Sequence, residues 1–452
     1  MRAAVVGAGP SGFYTAEQLL AAGFEVDVID ALPTPFGLVR AGVAPDHPKI
    51  KSVTRVYAKT AHHERFRFFG GVRLGRDVSR GDLLARYHAV IYATGTSIDN
   101  RLGIAGEDRP GSHSATEFVA WYNGHPHYSE LEFDLACHRA VVIGNGNVAL
   151  DVARMLVLDS TELMPTDTAD HAISTLRATG IREVVLIGRR GPAEAAFTNP
   201  ELRELGGLAR VDVVVDPSQL EGLENPTENA RRQSLELLRN YAGHGTTSRS
   251  HRLELRFMRS PIEILGDGAH GRVTGVRVGI NRLVCRPDGS VFAEPTGEEE
   301  LIECGLVLRS IGYRGEPMDE IPFDERRGLI RNVGGRVIDD SGVCRGEYAV
   351  GWIKRGPSGV IGTNKKDATE TVANLLEDAE RGALNEPDEG LVAEAAGGWL
   401  LEQSPETVTW DGWTEIDKHE VASGESQGRP RVKLVRIQDM VDVARKRSGV
   451  PS

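Results

Sequence analysis

The sequence is poor in cysteine: 452 residues contain four, Cys137, Cys285, Cys304 and Cys344, scattered singly. No C-x-x-C pair occurs and no His or Cys spacing suits a metal, so no metal site is expected. The same scatter argues against a disulfide scaffold, a redox-active dithiol, or an iron–sulfur cluster ligated by this chain. Such sparing use of cysteine points to a reducing compartment. Long apolar runs are also missing: no stretch of eighteen suits a membrane span. The chain opens on a strand-like run without a charged leader or apolar signal core, so a cytosolic (cytoplasmic) location is expected. Positive charge is in deficit. Lys and Arg total 53 against 65 Asp and Glu, a formal net charge of −12, which disfavours general binding to nucleic acid or anionic membrane.

One stretch departs from that balance. Between Asp46 and Gly81 stand nine cations: Lys49, Lys51, Arg55, Lys59, Arg65, Arg67, Arg73, Arg76 and Arg80. Only Asp46, Glu64 and Asp77 oppose them. The segment reads either as a solvated face or as a docking face for an acidic protein. The length suits two or three domains. Fifty-two glycines imply many tight turns or close backbone approaches.

Several of those glycines fall in two loops of one kind. Arg2 to Val6 reads as a buried strand, Gly7 to Gly12 as a turn, Phe13 to Ala22 as a helix and Glu25 to Asp30 as a second strand. The turn fits G-x-G-x-x-G: Gly7 permits a sharp turn, Gly9 lets a pyrophosphate approach, and Gly12 lets helix pack on strand. The helix N-terminus then faces the phosphates. Asp30 closes the second strand, where a carboxylate binds ribose hydroxyls. Together these suit FAD. Ala89 to Ala93 is a further strand ending in Thr94-Gly95, and Gly95 joins the candidate cofactor residues. The pattern restarts at Ala140 to Ile143. Gly144-Asn145-Gly146-Asn147-Val148-Ala149 fits G-x-G-x-x-A and leads into a helix, Val148 to Leu158. The next strand, Glu183 to Ile187, runs into Gly188-Arg189-Arg190-Gly191. Two arginines where an NAD enzyme places an acid can pair with the 2′-phosphate of NADP(H).

Elsewhere the pattern is plainer. A polar insertion, roughly 159–180, lengthens the second crossover. Residues 207–300 alternate short strand patterns with one basic helix near 228–243. Leu306 to Ile311 and Tyr348 to Val350 read as strands, and Thr363 to Arg381 as a helix. The last seventy residues hold Trp399, Trp410 and Trp413 and receive no chemistry.

Three longer segments extend the match. They are Pro35-Phe36-Gly37-Leu38-Val39-Arg40-Ala41-Gly42-Val43-Ala44-Pro45-Asp46-His47-Pro48, Gly188 to Pro192, and Gly351-Trp352-Ile353-Lys354-Arg355-Gly356-Pro357-Ser358-Gly359-Val360-Ile361-Gly362-Thr363-Asn364. With the loops, they make the chain resemble the adrenodoxin reductase-type ferredoxin–NADP reductase family. The resemblance implies an α/β fold with two Rossmann-like dinucleotide-binding domains in a glutathione-reductase-like arrangement. An NADP-binding domain, 101–322, would be inserted into a discontinuous FAD-binding domain, 1–100 and 323–452. Positions matching Ser11, Asp30, Leu38, Leu74, Trp352, Gly359, Val360 and Ile361 would contact FAD. Those matching Gly144, Asn145, Gly146, Asn147, Val148, Arg189, Arg190, Glu201 and Gly359 would contact NADP. Some relatives carry Glu at Asp30, and Leu74 lies outside any sharp motif. His47, paired with Glu204, would stand near the nicotinamide. Arg231 and Arg232, on the basic helix, would help dock a small acidic iron–sulfur ferredoxin.

The expected activity is NADPH-dependent ferredoxin reduction. NADPH gives hydride to FAD, and single electrons then pass, reversibly, to an external iron–sulfur ferredoxin. Three alternatives differ. A subunit of a larger electron-transfer complex would want N-terminal cysteine clusters, and a flavin disulfide reductase would want a C-x-x-C. A non-catalytic FAD/NADP-binding sensor would show no turnover.

Overall fold

The structure is a computed structural model that describes residues 1–223, 226–245, 247, 249–268, 270–287, 290–388 and 393–446. The chain divides into two compact units. The first comprises Met1–Ile98, Asn123–Ser129 and the chain from Gly312 onward; the second comprises Asp99–Tyr122 and Glu130–Ile311.

In the first unit, Arg2–Val6 pairs in parallel with Glu25–Asp30 on one side and Ala89–Tyr92 on the other. All five residues of Arg2–Val6 are buried, as expected of a parallel strand covered on both faces. Strand alternation sends Ala3 and Val5 into one core cluster and Ala4 and Val6 into the opposite one. Phe66–Gly70 extends this sheet beyond Glu25–Asp30. On the far edge Gly342–Ala349 returns to lie parallel to Ala89–Tyr92, followed by Arg336–Asp339 and Asn332–Val333, for seven strands in all. The expected Tyr348 strand is thus the end of a longer one. The first helix runs Pro10–Ala21, three residues earlier than expected, because Pro10 sits in the first turn where no donor is needed.

The second unit is built on six parallel strands in the order Ser112–Ser114, Leu306–Arg309, Arg139–Ile143, Glu183–Ile187, His251–Arg256, Val211–Val215. Helix Asn147–Val157 follows the central strand. The polar insertion contains two short helices, Ser160–Leu163 and Asp170–Arg177. The region read as short strands holds two 13-residue strands instead, Val273–Cys285 and Val291–Glu303, joined with Arg259–Gly266 in an antiparallel sheet. Only one face of that sheet is apolar, with Ile264, Val276, Val278 and Ile302 packing on Val141 and Val185. The intervening charges and glycines look like breaks in the sequence but lie on the open face or at bulges.

The last described residues also gain a role. Helices Trp410–Glu425 and Ile437–Arg445 pack on the first unit's core. Trp410 and Trp413 meet Phe36 edge-on at 6.2 and 5.6 Å. No helix among the described residues is long and apolar enough to cross a membrane.

Two candidate dinucleotide sites

The first loop begins where Gly7 N–H donates to Ile29 O at 2.7 Å. Gly7 has φ 114°, and a Cβ there would stand 2.4 Å from the Ala93 carbonyl oxygen. A Cβ on Gly12 would meet the Gly7 oxygen at 2.0 Å. These two glycines are required by the fold. Gly9 differs: its backbone is extended, with φ −81° and ψ −174°, and a Cβ would meet nothing within 4 Å. The protein leaves room for an alanine, so the space above Gly9 suits a ligand. The helix that follows has no side-chain cap, leaving its first N–H groups available to phosphate.

Asp30 holds this loop in place. One carboxylate oxygen accepts from Ala8 N–H at 2.7 Å and the other from Leu32 N–H at 2.9 Å. Burial raises its pKa above the ordinary carboxylate range, against the lowering effect of those two bonds. Each oxygen keeps a lone pair for a ribose hydroxyl. Phe36 N–H then donates to Ala8 O, and Gly37 comes within reach of Gly9. Leu38 opens a short turn, Leu38–Ala41, with its side chain 47% exposed.

The downstream motif meets the same loop. A Cβ on Gly351, where φ is 78°, would lie 2.1 Å from the Ser11 hydroxyl oxygen. Gly351 N–H donates to Asp367 at 2.5 Å, and Lys354 Nζ sits 3.0 Å from the same carboxylate. Trp352 stacks on Tyr313 at 6.1 Å. Its indole N–H and the Thr96 hydroxyl are buried without a hydrogen-bond partner among the described residues. Gly95 has φ 71° over open space. Gly359 has φ 80°, Val360 is 56% exposed, and Ile361 starts helix Ile361–Glu380. Unpartnered buried donors and exposed apolar side chains within one unit fit a large flat cofactor such as FAD. Leu74 pairs with Val78 and packs partly on the core. His47 is buried just before the turn Pro48–Lys51 and belongs to this unit; Glu204 is exposed and belongs to the other.

Sequence reasoning missed a clamp on this site. Glu420, fully buried, receives both Arg40 guanidinium nitrogens at 2.8 and 2.5 Å, Arg431 at 3.2 Å and Leu434 N–H at 2.8 Å. Burial acts to raise its pKa, yet the charges of Arg40 and Arg431 outweigh it and hold the carboxyl below the ordinary range. Lys433 donates to the Arg40 carbonyl at 3.2 Å. The C-terminal segment thereby fixes the turn that follows Phe36-Gly37. No local pattern announces contacts across 380 positions.

The second loop repeats the geometry. Gly144 N–H donates to Ile187 O at 2.9 Å, and its φ is 129°. A Cβ there would strike the Ser310 carbonyl oxygen at 2.0 Å, whereas one on Gly146 would meet nothing within 4 Å. Gly146 is also extended, at φ −97°, and its helix likewise lacks a side-chain cap. Ala149 is fully buried and Val148 half-buried. Asn147 accepts from Thr198 N–H at 2.7 Å, and the Thr198 hydroxyl donates to Glu201. The Asn145 amide nitrogen is buried without a partner among the described residues. Arg189 is exposed and Arg190 half-exposed; neither guanidinium has a hydrogen-bond or ion-pair partner among the described residues. Free cations and a free donor beside an open glycine fit a phosphorylated nucleotide such as NADP(H).

Two such loops in one chain define a flavoprotein oxidoreductase with paired dinucleotide sites. A family profile described as pyridine nucleotide-disulphide oxidoreductase matches residues 1–190. The chain is 49% identical to NADPH-ferredoxin reductase FprA of Mycobacterium tuberculosis, covering 97% of this chain and 98% of that protein. It is 43% identical to the mitochondrial NADPH:adrenodoxin oxidoreductase of Arabidopsis thaliana, covering 97% and 94%. The solved structure of Mycobacterium tuberculosis FprA in complex with NADPH superposes with a TM-score of 0.92 at 48% identity, covering 98% of this chain and 99% of that one. The chain belongs to the adrenodoxin reductase-type family of ferredoxin–NADP reductases, as its motifs suggest.

Proposed function

We propose that the chain is an NADPH-dependent ferredoxin reductase, with FAD on the first unit and NADPH on the second. The observation that carries this is the pair of open glycines, Gly9 and Gly146, each roomy and extended at an uncapped helix start. FAD, when bound, supplies the exchange between a hydride pair and single electrons. The chain's residues bind and orient. Asp30 holds the first loop and has lone pairs left for ribose. Trp352 and Thr96 offer buried donors. The N-terminus of Ile361–Glu380 supplies a positive dipole end that favours negative charge on a reduced ring. Arg189 and Arg190 receive the 2′-phosphate, with Asn145 and Glu201 beside the loop. His47 and Glu204 position the nicotinamide or handle a proton. The scattered cysteines fit the cytosol.

The partner is a small acidic iron–sulfur ferredoxin. On the basic helix, now Asn229–His244, Arg231 pairs with Glu228 at 3.1 Å and Arg232 bonds Asn229 at 2.6 Å. The 49–80 segment narrows. Arg65, Arg67, Arg76 and Arg80 bond Gly23 O, Asp27, Asp77 and Glu347 within their own chain. Lys49, Arg55 and Lys59 stay exposed without an ion pair among the described residues, beside exposed Ile50 and Val56.

Stopped-flow mixing of the yellow holoprotein with NADPH and an acidic ferredoxin tests the reading. Ferredoxin is expected to be reduced at a rate that falls with salt. The preference for NADPH over NADH should collapse about 100-fold or more in R189A/R190A, since two charge-assisted contacts to phosphate are lost. Retained preference would show that the 2′-phosphate lies elsewhere.

A further inference from the structure

The two arginines that meet the 2′-phosphate in the reading above do not hold their own turn. Three successive carbonyls do. Gly188 O accepts from Arg259 N–H at 2.9 Å, and Arg190 O accepts from Met258 N–H at 3.0 Å. Between them, Arg189 O accepts from the Asn281 side-chain amide at 2.9 Å. Asn281 is the one side chain in that set. It lies in the long strand Val273–Cys285, immediately after a register shift, and is 5% exposed. Its amide nitrogen also donates to the Ser260 hydroxyl at 2.8 Å, and its backbone N–H donates to Met258 O at 2.9 Å. Met258 has φ 55°, a left-handed conformation that side-chain-bearing residues rarely adopt. The bulge, the strained residue and the buried amide all converge on Gly188–Arg190.

This arrangement is more than a filled core position. A buried amide that merely satisfied itself would need no partner on a cofactor loop. Here both N–H groups are used, one on the arginine turn and one on the antiparallel sheet, so the amide bridges the two. Among the described residues the guanidinium groups of Arg189 and Arg190 have no partner, so the backbone beneath them is what the structure fixes of their placement.

We propose that Asn281 is a positioning residue for nucleotide specificity: by fixing the Arg189 carbonyl, it aims the two guanidinium groups at the 2′-phosphate that distinguishes NADPH from NADH. The proposal rests on the assignment of Arg189 and Arg190 to that phosphate.

The test uses the full-length, FAD-loaded protein and two nucleotide fragments, adenosine 2′,5′-bisphosphate and adenosine 5′-monophosphate, titrated calorimetrically. In Asn281→Ala the ratio of their affinities should fall about tenfold, the value of roughly one charge-assisted hydrogen bond. The ratio of kcat/KM for NADPH over NADH should fall in parallel. A ratio unchanged from wild type, including one in which both fragments weaken equally, overturns the proposal and leaves Asn281 a structural residue. Should Asn281→Ala not fold, Ser260→Ala removes the far anchor only, and a fall of about threefold is expected; an unchanged ratio there overturns the proposal too. The double variant R189A/R190A separates the two readings. If it keeps the ratio, the arginine assignment fails and the proposal falls with it. If it loses the ratio while Asn281→Ala keeps it, only the role of Asn281 fails.

Discussion

The two glycine loops share a backbone course, and one pair of differences between them stands out. In the first, Asp30 ends the second strand and reaches back to the Ala8 N–H. In the second, the residue in the same register is Gly188, and the residue matching Ala8 is Asn145. A Cβ on Gly188 would lie 2.5 Å from the Asn145 amide nitrogen. The amide thus leans into the volume that an acid would fill. One loop is tied by its own carboxylate before any ligand arrives. The other keeps a buried donor and two cations unpaired among the described residues. In the proposed reading, the tied loop suits retention of FAD and the open one suits exchange of NADPH.

The comparison breaks most sharply at the glycines themselves. Gly7→Ala combines positive φ with a backbone clash and should cost on the order of 4 kcal/mol. Gly9→Ala should change the apoprotein's stability by less than about 0.5 kcal/mol while weakening FAD binding, because its Cβ meets only ligand space. Gly144→Ala and Gly146→Ala should repeat the contrast for NADPH. Urea unfolding of apoprotein and flavin fluorescence titration measure the two effects. Equal destabilisation by Gly7→Ala and Gly9→Ala would remove the claim that the middle glycine serves a ligand.

Glu420 should come next. Replacing it by glutamine leaves the Arg40 charge without its counter-ion, at a cost of about 3 kcal/mol. FAD should also dissociate faster, because Arg40 directly follows the turn over the loop. The pH dependence has a definite sign. The folded carboxyl is depressed below its unfolded value of 4.5, so its stabilisation is complete above that pH and is lost as pH falls through the lower folded value. The difference in unfolding free energy between wild type and Glu420→Gln should therefore be constant near neutrality and shrink below about pH 4.5. A difference that grows in acid would place the stabilisation elsewhere.

The loops were legible in the sequence because every part of them is local. A strand, a glycine turn, a helix start and the next strand end fall within thirty residues. The arginine pair stands out for the same reason, by contrast with Asp30, and its role remains part of the proposal. What escaped was set by partners far along the chain. Arg67 reads as one more surface cation until the fold brings it to Asp27, and Arg80 until it meets Glu347. Trp410 and Trp413 look unassigned until they pack on Phe36. The long strands beneath Asn281 hid behind alternating charge, since a sheet with one open face carries half its residues as polar. Family resemblance supplied the ferredoxin partner, which no loop geometry encodes.

The smallest expected effect is the most discriminating. An unpaired buried donor costs about 1–3 kcal/mol, so Asn145→Ala should stabilise the nucleotide-free protein by about 1 kcal/mol. The same change should weaken NADPH about threefold to tenfold if the amide donates to the bound nucleotide. Stability and affinity then move in opposite directions, as expected of a donor kept free for a ligand. A purely structural asparagine would lower both. Thermal unfolding without nucleotide and equilibrium titration with NADPH read the two quantities on one sample. FAD content should stay at the wild-type level, because Asn145 belongs to the second unit's loop, whereas Asp30 ties the first loop. A nucleotide-free protein destabilised by Asn145→Ala would mean that the amide has a partner in solution and is not a donor kept free for a ligand.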